Sequence, residues 1–277
     1  MKIDLIHTGF FYADGGAMFG AVPKTAWQRR YACDEANGCV LAMSSLLVQY
    51  DNGRIVLIDT GAGSKQLKQL SYYRFFDLKD LHTELRRLHI APEQVTDVVL
   101  THLHFDHCGC TTGYNEEDHS LYAAFLHAKH WVSRSQWENS LHPHPLEQDS
   151  YFPENMSLIE QSGLLHLIDE DTQLFPGLEL QIYNGHSPGQ LVAIIKSDEQ
   201  SYVFAGDVIP LIANVSPAWI SAYDLRPQVS YDEKLRLLDK AVEEKLAVIY
   251  CHDAYTPCST VKKVNGLYKK DCIVNLK

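Results

Sequence analysis

The sequence of 277 residues predicts an α/β protein in which strands and helices alternate. Short apolar, β-branched runs such as residues 97–100 are followed by polar turns, and leucines recur at helical spacing over residues 78–89. The order of strands, helix and a polar residue at a strand end occurs in both halves, without a visible sequence repeat. We therefore predict a single domain over residues 1–277, built from two pseudo-equivalent halves of roughly 1–150 and 151–277.

The predicted elements begin with a strand at residues 2–8, followed by a long loop at 12–39 that is rich in glycine and polar residues. Strands at 40–49 and 54–58 flank a turn-forming Asn52-Gly53 and form a hairpin. The further predicted strands are 97–100, 121–128, 164–168, 178–183, 191–196, 202–205 and 247–251, and the predicted helices are 78–89, 129–139, 154–161 and 231–244.

The stretch that directly follows strand 97–100 carries four metal-competent side chains: His102, His104, Asp106 and His107. Four such groups within six residues cannot all bind one small ion comfortably. The two alternating histidines would share one ion, and the adjacent Asp-His pair would face a second. This arrangement requires further ligands, and three candidates follow later strands: His186, Asp207 and His252. The alternative is a histidine-rich solvated loop, which the ligand density and the preceding strand disfavour.

The pattern His-x-His-x-Asp-His after a strand resembles the signature of the metallo-β-lactamase superfamily of metallohydrolases. The resemblance covers nearly the whole chain, because His186 (before Ser-Pro-Gly), Asp207 (after Gly206) and His252 come in the expected order. It implies a four-layer αββα sandwich of two mixed β-sheets flanked by helices, with the site along one edge.

The resemblance also implies how the ligands divide between two divalent metal ions. One ion would bind His102, His104 and His186, the other Asp106, His107 and His252, and Asp207 would bridge them. We expect zinc, with iron, manganese or cobalt as alternatives, and a hydroxide bridging the ions as the nucleophile. Asp106 would also carry a proton to the leaving group. Asp59, at the end of strand 54–58, would orient a ligand histidine, unless it only initiates a turn.

Departures from the family pattern narrow the expected reaction. Asp207 stands where one branch of β-lactamases has a metal-binding cysteine, and His104 stands where flavo-diiron proteins have a carboxylate. Segments 15–20 and 222–225 resemble those of the lactonase-like branch, which includes acyl-homoserine lactonases and organophosphate hydrolases. We therefore expect a hydrolase that opens a lactone or ester. The alternatives are a phosphodiester or phosphotriester hydrolase, an iron-dependent oxidoreductase and a metal-storage protein.

The expected substrate is a neutral or partly apolar small molecule that docks under the loop of residues 14–27. Met18, Phe19 and Trp27 would supply apolar surface there, unless they simply pack on the core. Tyr223 would add a hydroxyl to the developing oxyanion, with a buried structural tyrosine as the alternative.

The net charge of −11 disfavours nucleic acid as a partner. No stretch approaches the length of a membrane span, so a membrane partner is not expected. Seven cysteines and no visible secretory signal predict reduced thiols and a cytoplasmic location. The sequence leaves the oligomeric state open, as well as whether residues 140–155 act as a lid.

Overall fold

A computed structural model describes residues 1–276 of the chain. Its strands are β1 (Lys2–Asp14), β2 (Gly38–Gln49), β3 (Ile55–Ile58), β4 (Asp97–Val99), β5 (Thr112–Tyr114), β6 (Leu121–Ala123), β7 (Lys129–Ser133), β8 (Leu165–Ile168), β9 (Thr172–Phe175), β10 (Leu178–Tyr183), β11 (Gln190–Ile195), β12 (Tyr202–Phe204), β13 (Ala247–Ile249), β14 (Cys258–Val264) and β15 (Leu267–Ile273). Its α-helices are α1 (Gly15–Phe19), α2 (Lys24–Trp27), α3 (Leu81–Arg87), α4 (Phe105–Cys108), α5 (Arg134–Leu141), α6 (Ser157–Gln161) and α7 (Pro227–Glu243). Short 3-10 helices cover Ser71–Tyr73, Pro92–Gln94, Gly109–Thr111, Gln148–Ser150, Pro153–Asn155, Gly206–Val208 and Ile212–Val215.

The chain divides into two compact units, which we call unit 1 and unit 2. Unit 1 contains residues 1–10 and 43–169, and unit 2 contains residues 11–42 and 170–276. The chain passes from unit 1 to unit 2 after residue 169, whereas the predicted halves meet at 150/151, and residues 11–42 cluster with the later part of the chain. The prediction of a single domain stays a prediction.

A six-stranded sheet, most of whose residues lie in unit 1, has the strand order β1-β2-β3-β4-β7-β8. Strands β2 and β3 pair in antiparallel fashion, whereas β3, β4, β7 and β8 pair in parallel. A parallel pair needs a crossover connection, and α3 lies in the connection from β3 to β4. Leu81 and Leu85 of α3 belong to a buried apolar cluster with Leu57 and Val98 of the sheet. Burial of this cluster holds the carboxyl ends of β3 and β4, which lead into candidate site residues.

The sheet of unit 2 has seven strands in the order β15-β14-β13-β12-β11-β10-β9. Its only parallel pair among the residues described is β12 with β13, so the sheet is mixed. Leu237 and Leu238 of α7 are fully buried in a cluster with Val192, Val203 and Val248 of the sheet. This packing fixes the ends of β10, β12 and β13, after which the three downstream ligand candidates come.

The loop predicted at residues 12–39 is wrong at its beginning. Strand β1 continues to Asp14, and two short helices, α1 and α2, follow. The carboxylate of Asp14 caps α1 by accepting hydrogen bonds from the backbone N–H groups of Gly16 at 2.7 Å and Ala17 at 3.2 Å. The side-chain amide of Asn37 donates to the same carboxylate at 2.9 Å. Local capping therefore orders a segment whose glycines indicated irregular structure.

The helix predicted at residues 129–139 is also wrong in its first turn. Residues 129–133 form β7 and pair in parallel with β4, and α5 begins only at Arg134. Ser133 marks the change, because its side chain accepts a hydrogen bond from the N–H of Gln136 at 3.0 Å. The strand predicted at 121–128 correspondingly ends at Ala123.

The described residues contain neither a membrane-spanning helix nor a disulfide bond. None of the helices within residues 1–276 combines the length and the hydrophobicity that a membrane span needs. No disulfide joins any of the cysteines in this part of the chain.

Candidate metal centre

Unit 1 brings its two alternating histidines together at the end of β4. The Nε2 atom of His102 lies 3.1 Å from the Nδ1 atom of His104. Both rings are buried, with exposures of 0% and 7%. Two buried imidazole nitrogens at this distance can bind one cation with little rearrangement.

The adjacent pair of unit 1 lies on α4, where the Nε2 atom of His107 is 3.8 Å from a carboxylate oxygen of Asp106. The other ring nitrogen of His107 is 2.8 Å from Oδ2 of Asp59. Asp59 also accepts hydrogen bonds from the N–H of Thr101 at 2.7 Å and from its hydroxyl at 2.8 Å. The carboxylate of Asp59 thus connects the end of β3 to the end of β4 and contacts the ring of His107.

The backbone of Asp59 adopts a left-handed conformation with φ of 58°. Aspartate is among the few residue types enriched there, although the conformation is sparsely populated and costs of order 1 kcal/mol or more. The hydrogen bonds to Thr101 and His107 offset this cost. The geometry suits the predicted orienting role of Asp59, which stays a prediction until it is tested.

Unit 2 brings its three downstream candidates together around Asp207. One carboxylate oxygen of Asp207 lies 3.4 Å from Nε2 of His186, and the other lies 3.1 Å from Nε2 of His252. Gln190 supports this arrangement from β11. With its amide oxygen turned toward the backbone, Gln190 accepts hydrogen bonds from the N–H groups of Asp207 at 2.9 Å and Val208 at 3.2 Å. Asp207 therefore presents its two oxygens to two different histidines.

Helix α7 positions the loop that carries His186. The carboxylate of Glu233 accepts hydrogen bonds from the N–H groups of Asn184 and Gly185, each at 2.9 Å. A Cβ atom at Gly185 would lie 2.5 Å from backbone atoms of Ser230, so this close approach requires glycine. The packing of α7 thus places His186 at the end of β10.

Each of the five candidate histidines has one ring nitrogen near an oxygen outside the predicted ligand set. The pairs are His102 with Thr101 at 3.1 Å, His104 with Glu147 at 3.2 Å, His107 with Asp59 at 2.8 Å, His186 with Asp224 at 3.0 Å, and His252 with the carbonyl of Ala42 at 2.8 Å. The second nitrogen of each ring faces another candidate ligand. Metal-binding histidines characteristically have such outer partners, which fix the ring orientation. The residues present therefore fit a metal centre of nitrogen and oxygen ligands.

The electrostatics of unit 2 also favour a cation. Burial lowers the pKa of His252, but the neighbouring Cys251 and Asp207 raise it, and the net pKa lies well above its ordinary value. The negative charge of these neighbours would also attract a cation.

Residues 40–252 match the sequence model of the Metallo-beta-lactamase superfamily. The chain belongs to this superfamily. N-acyl homoserine lactonase AiiB from Rhizobium rhizogenes is 24% identical over 194 residues, which cover 69% of this chain and 68% of that protein. The crystal structure of a probable metal-dependent hydrolase from Staphylococcus aureus has a TM-score of 0.86 and 28% identity, and covers 98% of this chain and 97% of that one.

The structure of AidC, described as a dizinc quorum-quenching lactonase, has a TM-score of 0.78 and covers 99% of this chain and 95% of that one. Its identity is 16%, so it bears on the fold alone. The comparisons confirm the predicted metallo-β-lactamase fold class. Together with the superfamily match and the lactonase relatives, the candidate His/Asp ligands identify the chain as a hydrolase of this superfamily.

Sequence reasoning missed two outer partners of this superfamily site. Glu147 lies in segment 140–155, which the sequence left open as a lid, and it also accepts a hydrogen bond from Asn139 at 2.7 Å. Asp224 lies in segment 222–225, which was noted only for its resemblance to lactonases. Neither residue has a local spacing signal, because each contacts its histidine from about 40 residues away. His142 and His144, in the same segment as Glu147, are exposed.

Asp224→Asn is expected to weaken zinc binding by about 10–100-fold, the usual effect of losing the charge of an outer partner. The amide can still accept a hydrogen bond from Nδ1 of His186, so the fold should persist. Competition with a chromogenic chelator measures the affinity, and the exposed Asp198→Asn provides a matched control. An affinity equal to that of the control variant would show that Asp224 does not support a ligand.

The predicted substrate-binding residues are buried in this structure. Met18, Phe19 and Trp27 are 4%, 0% and 1% exposed. The ring of Phe19 stacks on Trp27 with centroids 4.9 Å apart and meets the edge of Trp219 at 5.9 Å. They therefore pack inside unit 2 and present almost no surface to a substrate. Tyr223, in contrast, is 41% exposed, so the buried alternative is wrong for it, and its catalytic role stays a prediction.

Phe19→Ala is expected to lower the free energy of unfolding by about 3–5 kcal/mol, because it removes a fully buried ring. Urea denaturation followed by circular dichroism measures this loss. Leu267→Ala is the control, since Leu267 is 63% exposed and its truncation should cost little. A stable Phe19→Ala protein with a raised KM for long acyl chains would restore the binding role.

Proposed function

We propose that the chain is a dinuclear metal-dependent hydrolase that opens a lactone or ester bond. The observation that carries the proposal is Asp207, whose two carboxylate oxygens face His186 and His252 separately. A carboxylate in this position suits a ligand shared by two ions. The lactonase names of the relatives favour a cyclic ester as the substrate.

The proposed ligand assignment follows the sequence prediction. One ion would be held by His102, His104 and His186, the other by Asp106, His107 and His252, and Asp207 would be shared. Zinc suits these nitrogen and oxygen donors, with cobalt, manganese or iron as alternatives. When bound, the ions would supply hydroxide at neutral pH and polarise the substrate carbonyl.

The residues of the chain would orient the metal ligands and transfer protons at the reacting ester. Asp59, Glu147 and Asp224 keep their histidine rings fixed, so that no reorganisation is needed during the reaction. Asp106, whose side chain is 12% exposed, would carry a proton to the departing alkoxide. The hydroxyl of Tyr223 would donate a hydrogen bond to the developing oxyanion, for which its exposure leaves it accessible.

The substrate would be a neutral or partly apolar small molecule. The net charge of −11 opposes the approach of polyanions, so nucleic acid is not proposed as a substrate. A neutral lactone carries no such penalty. A cytoplasmic location stays a prediction from the cysteine content.

A substrate panel tests the proposal. Purified protein loaded with zinc is assayed against N-acyl lactones of short and long chain, an aryl phosphotriester, an aryl phosphodiester and a β-lactam. We expect the lactones to give the highest kcat/KM. The Asp207→Ala protein, purified in parallel, tests whether the activity belongs to this site. Fastest turnover of a phosphoester would replace the lactonase assignment, and no turnover of any class by a metal-loaded protein would favour metal storage.

A further inference from the structure

A cysteine lies beside the ligand candidates of unit 2. Cys251 follows β13 and directly precedes His252, and it is 1% exposed. Its Sγ atom lies 3.4 Å from the Oδ1 atom of Asp207. That same oxygen is 3.1 Å from Nε2 of His252. The donor atoms of Asp207, Cys251 and His252 all lie within 4.8 Å of one another.

These separations are those of ligands on one ion. Zinc binds sulfur at about 2.3 Å and nitrogen or oxygen at about 2.0–2.2 Å, so two tetrahedral ligands lie about 3–4 Å apart. The measured Asp207 distances of 3.4 Å to sulfur and 3.1 Å to nitrogen fall in that range. Cysteine sulfur, carboxylate oxygen and imidazole nitrogen are each established donors to zinc.

The cysteines that flank the histidine motif are arranged differently. The thiol of Cys108 donates a hydrogen bond to the carbonyl of Leu103 at 3.3 Å and also accepts from the Asn155 amide at 3.8 Å. Cys110 packs near Gly63. Neither thiol lies in a group of candidate ligands among residues 1–276, whereas Cys251 does. Cys251, which follows β13, therefore differs from Cys108 and Cys110 in lying among candidate metal ligands.

We propose that Cys251 is a sulfur ligand of the ion bound by His252 and Asp207. The proposal rests on the proposed metal-dependent function, and adds a soft donor to a set that sequence reasoning made of nitrogen and oxygen only. On binding, a metal–sulfur bond forms, the S–H bond breaks and the thiol proton passes to solvent. Sulfur ligation favours zinc and cobalt over manganese, so Cys251 would determine which metal the second position selects.

The experiment measures the metal environment directly. Zinc K-edge X-ray absorption of the zinc-loaded full-length protein is compared with that of Cys251→Ala, Cys251→Ser and Cys258→Ala. Cys258 is a matched control, because it is fully buried in the neighbouring strand β14 and lies outside the ligand group. Cobalt-loaded samples are examined in parallel for a sulfur-to-cobalt charge-transfer band in the near ultraviolet.

We expect a zinc–sulfur shell at about 2.3 Å in the wild-type and Cys258→Ala proteins and its loss in both Cys251 variants. The cobalt band should follow the same pattern. In Cys251→Ser, the preference for zinc over manganese should fall by about tenfold or more, since a hydroxyl replaces the soft donor.

Failure of this inference can be distinguished from failure of the proposed function. Two bound ions with only nitrogen and oxygen neighbours in the wild-type protein would overturn Cys251 as a ligand, and would leave it as a hydrogen-bond donor to Asp207. A sulfur shell that survives in Cys251→Ala would also overturn it. A protein that binds no zinc would overturn both proposals. Because the wild-type spectrum alone decides the first question, the result does not depend on the variants folding.

Discussion

Asp207→Ala is expected to lower kcat/KM for lactone opening by about 10³-fold or more, which corresponds to about 4 kcal/mol of transition-state stabilisation. The change removes the carboxylate that faces both His186 and His252. One ion should be lost or bound weakly, while the histidine pair of unit 1 can still hold the other. Stopped assays with a long-chain N-acyl lactone measure the rate, and elemental analysis measures the metal content.

Two controls separate this effect from misfolding. The side chain of Asp207 is 14% exposed and lies outside the apolar clusters, so its truncation should leave the circular dichroism spectrum unchanged. Asp198→Ala, at an exposed turn of the same unit, should keep full activity. If the Asp207→Ala protein is folded and retains near-wild-type kcat/KM, Asp207 has no part in the mechanism.

The sequence located strands best where local signals agree. Strand β10 was predicted to the residue, because its apolar run has clear ends. Helix α7 was predicted at 231–244 from its amphipathic repeat, and it begins four residues earlier, at Pro227. Strands β14 and β15 were missed. They carry lysines at 262, 263, 269 and 270, and β15 lies at the sheet edge, where the exposed residues do not produce an apolar pattern.

Some residues of the candidate site can be identified from local sequence spacing, whereas others depend on contacts between distant parts of the chain. His102, His104, Asp106 and His107 follow one strand, so spacing alone identified them as candidates. The contacts of Glu147 with His104 and of Asp224 with His186 depend on tertiary packing across 43 and 38 residues. No single-sequence periodicity reports such contacts.

The apolar residues of segment 14–27 show why exposure could not be predicted. Glycines indicated a loop, and the sequence left open whether Phe19 lies against a substrate or packs on the core. The Asp14 cap instead orders α1, and Phe19 then packs against Trp27. Hydrophobicity specified that these side chains need cover, but only the fold determines whether a substrate or the protein supplies it.

Complete removal of metal is expected to abolish hydrolysis, and about two equivalents of zinc per chain are expected to restore it. Seven predicted ligands are too many for one tetrahedral ion, so a single equivalent should leave ligands unused. The protein is dialysed against a chelator, analysed for metals and titrated with zinc while lactone opening is followed. Bound metal should also raise the melting temperature, because an ion at 100 times its Kd adds about 2.7 kcal/mol to the stability of the folded state.

The metal titration carries its own controls. A circular dichroism spectrum that is unchanged after chelation, before zinc is added, shows that the metal-free chain is still folded. Asp198→Ala should titrate like the wild type. Asp207→Ala should saturate near one equivalent, since the shared carboxylate is gone while the pair formed by His102 and His104 remains. One equivalent in the wild-type protein, unchanged by added zinc and sufficient for full activity, would contradict the dinuclear proposal and leave a mononuclear hydrolase.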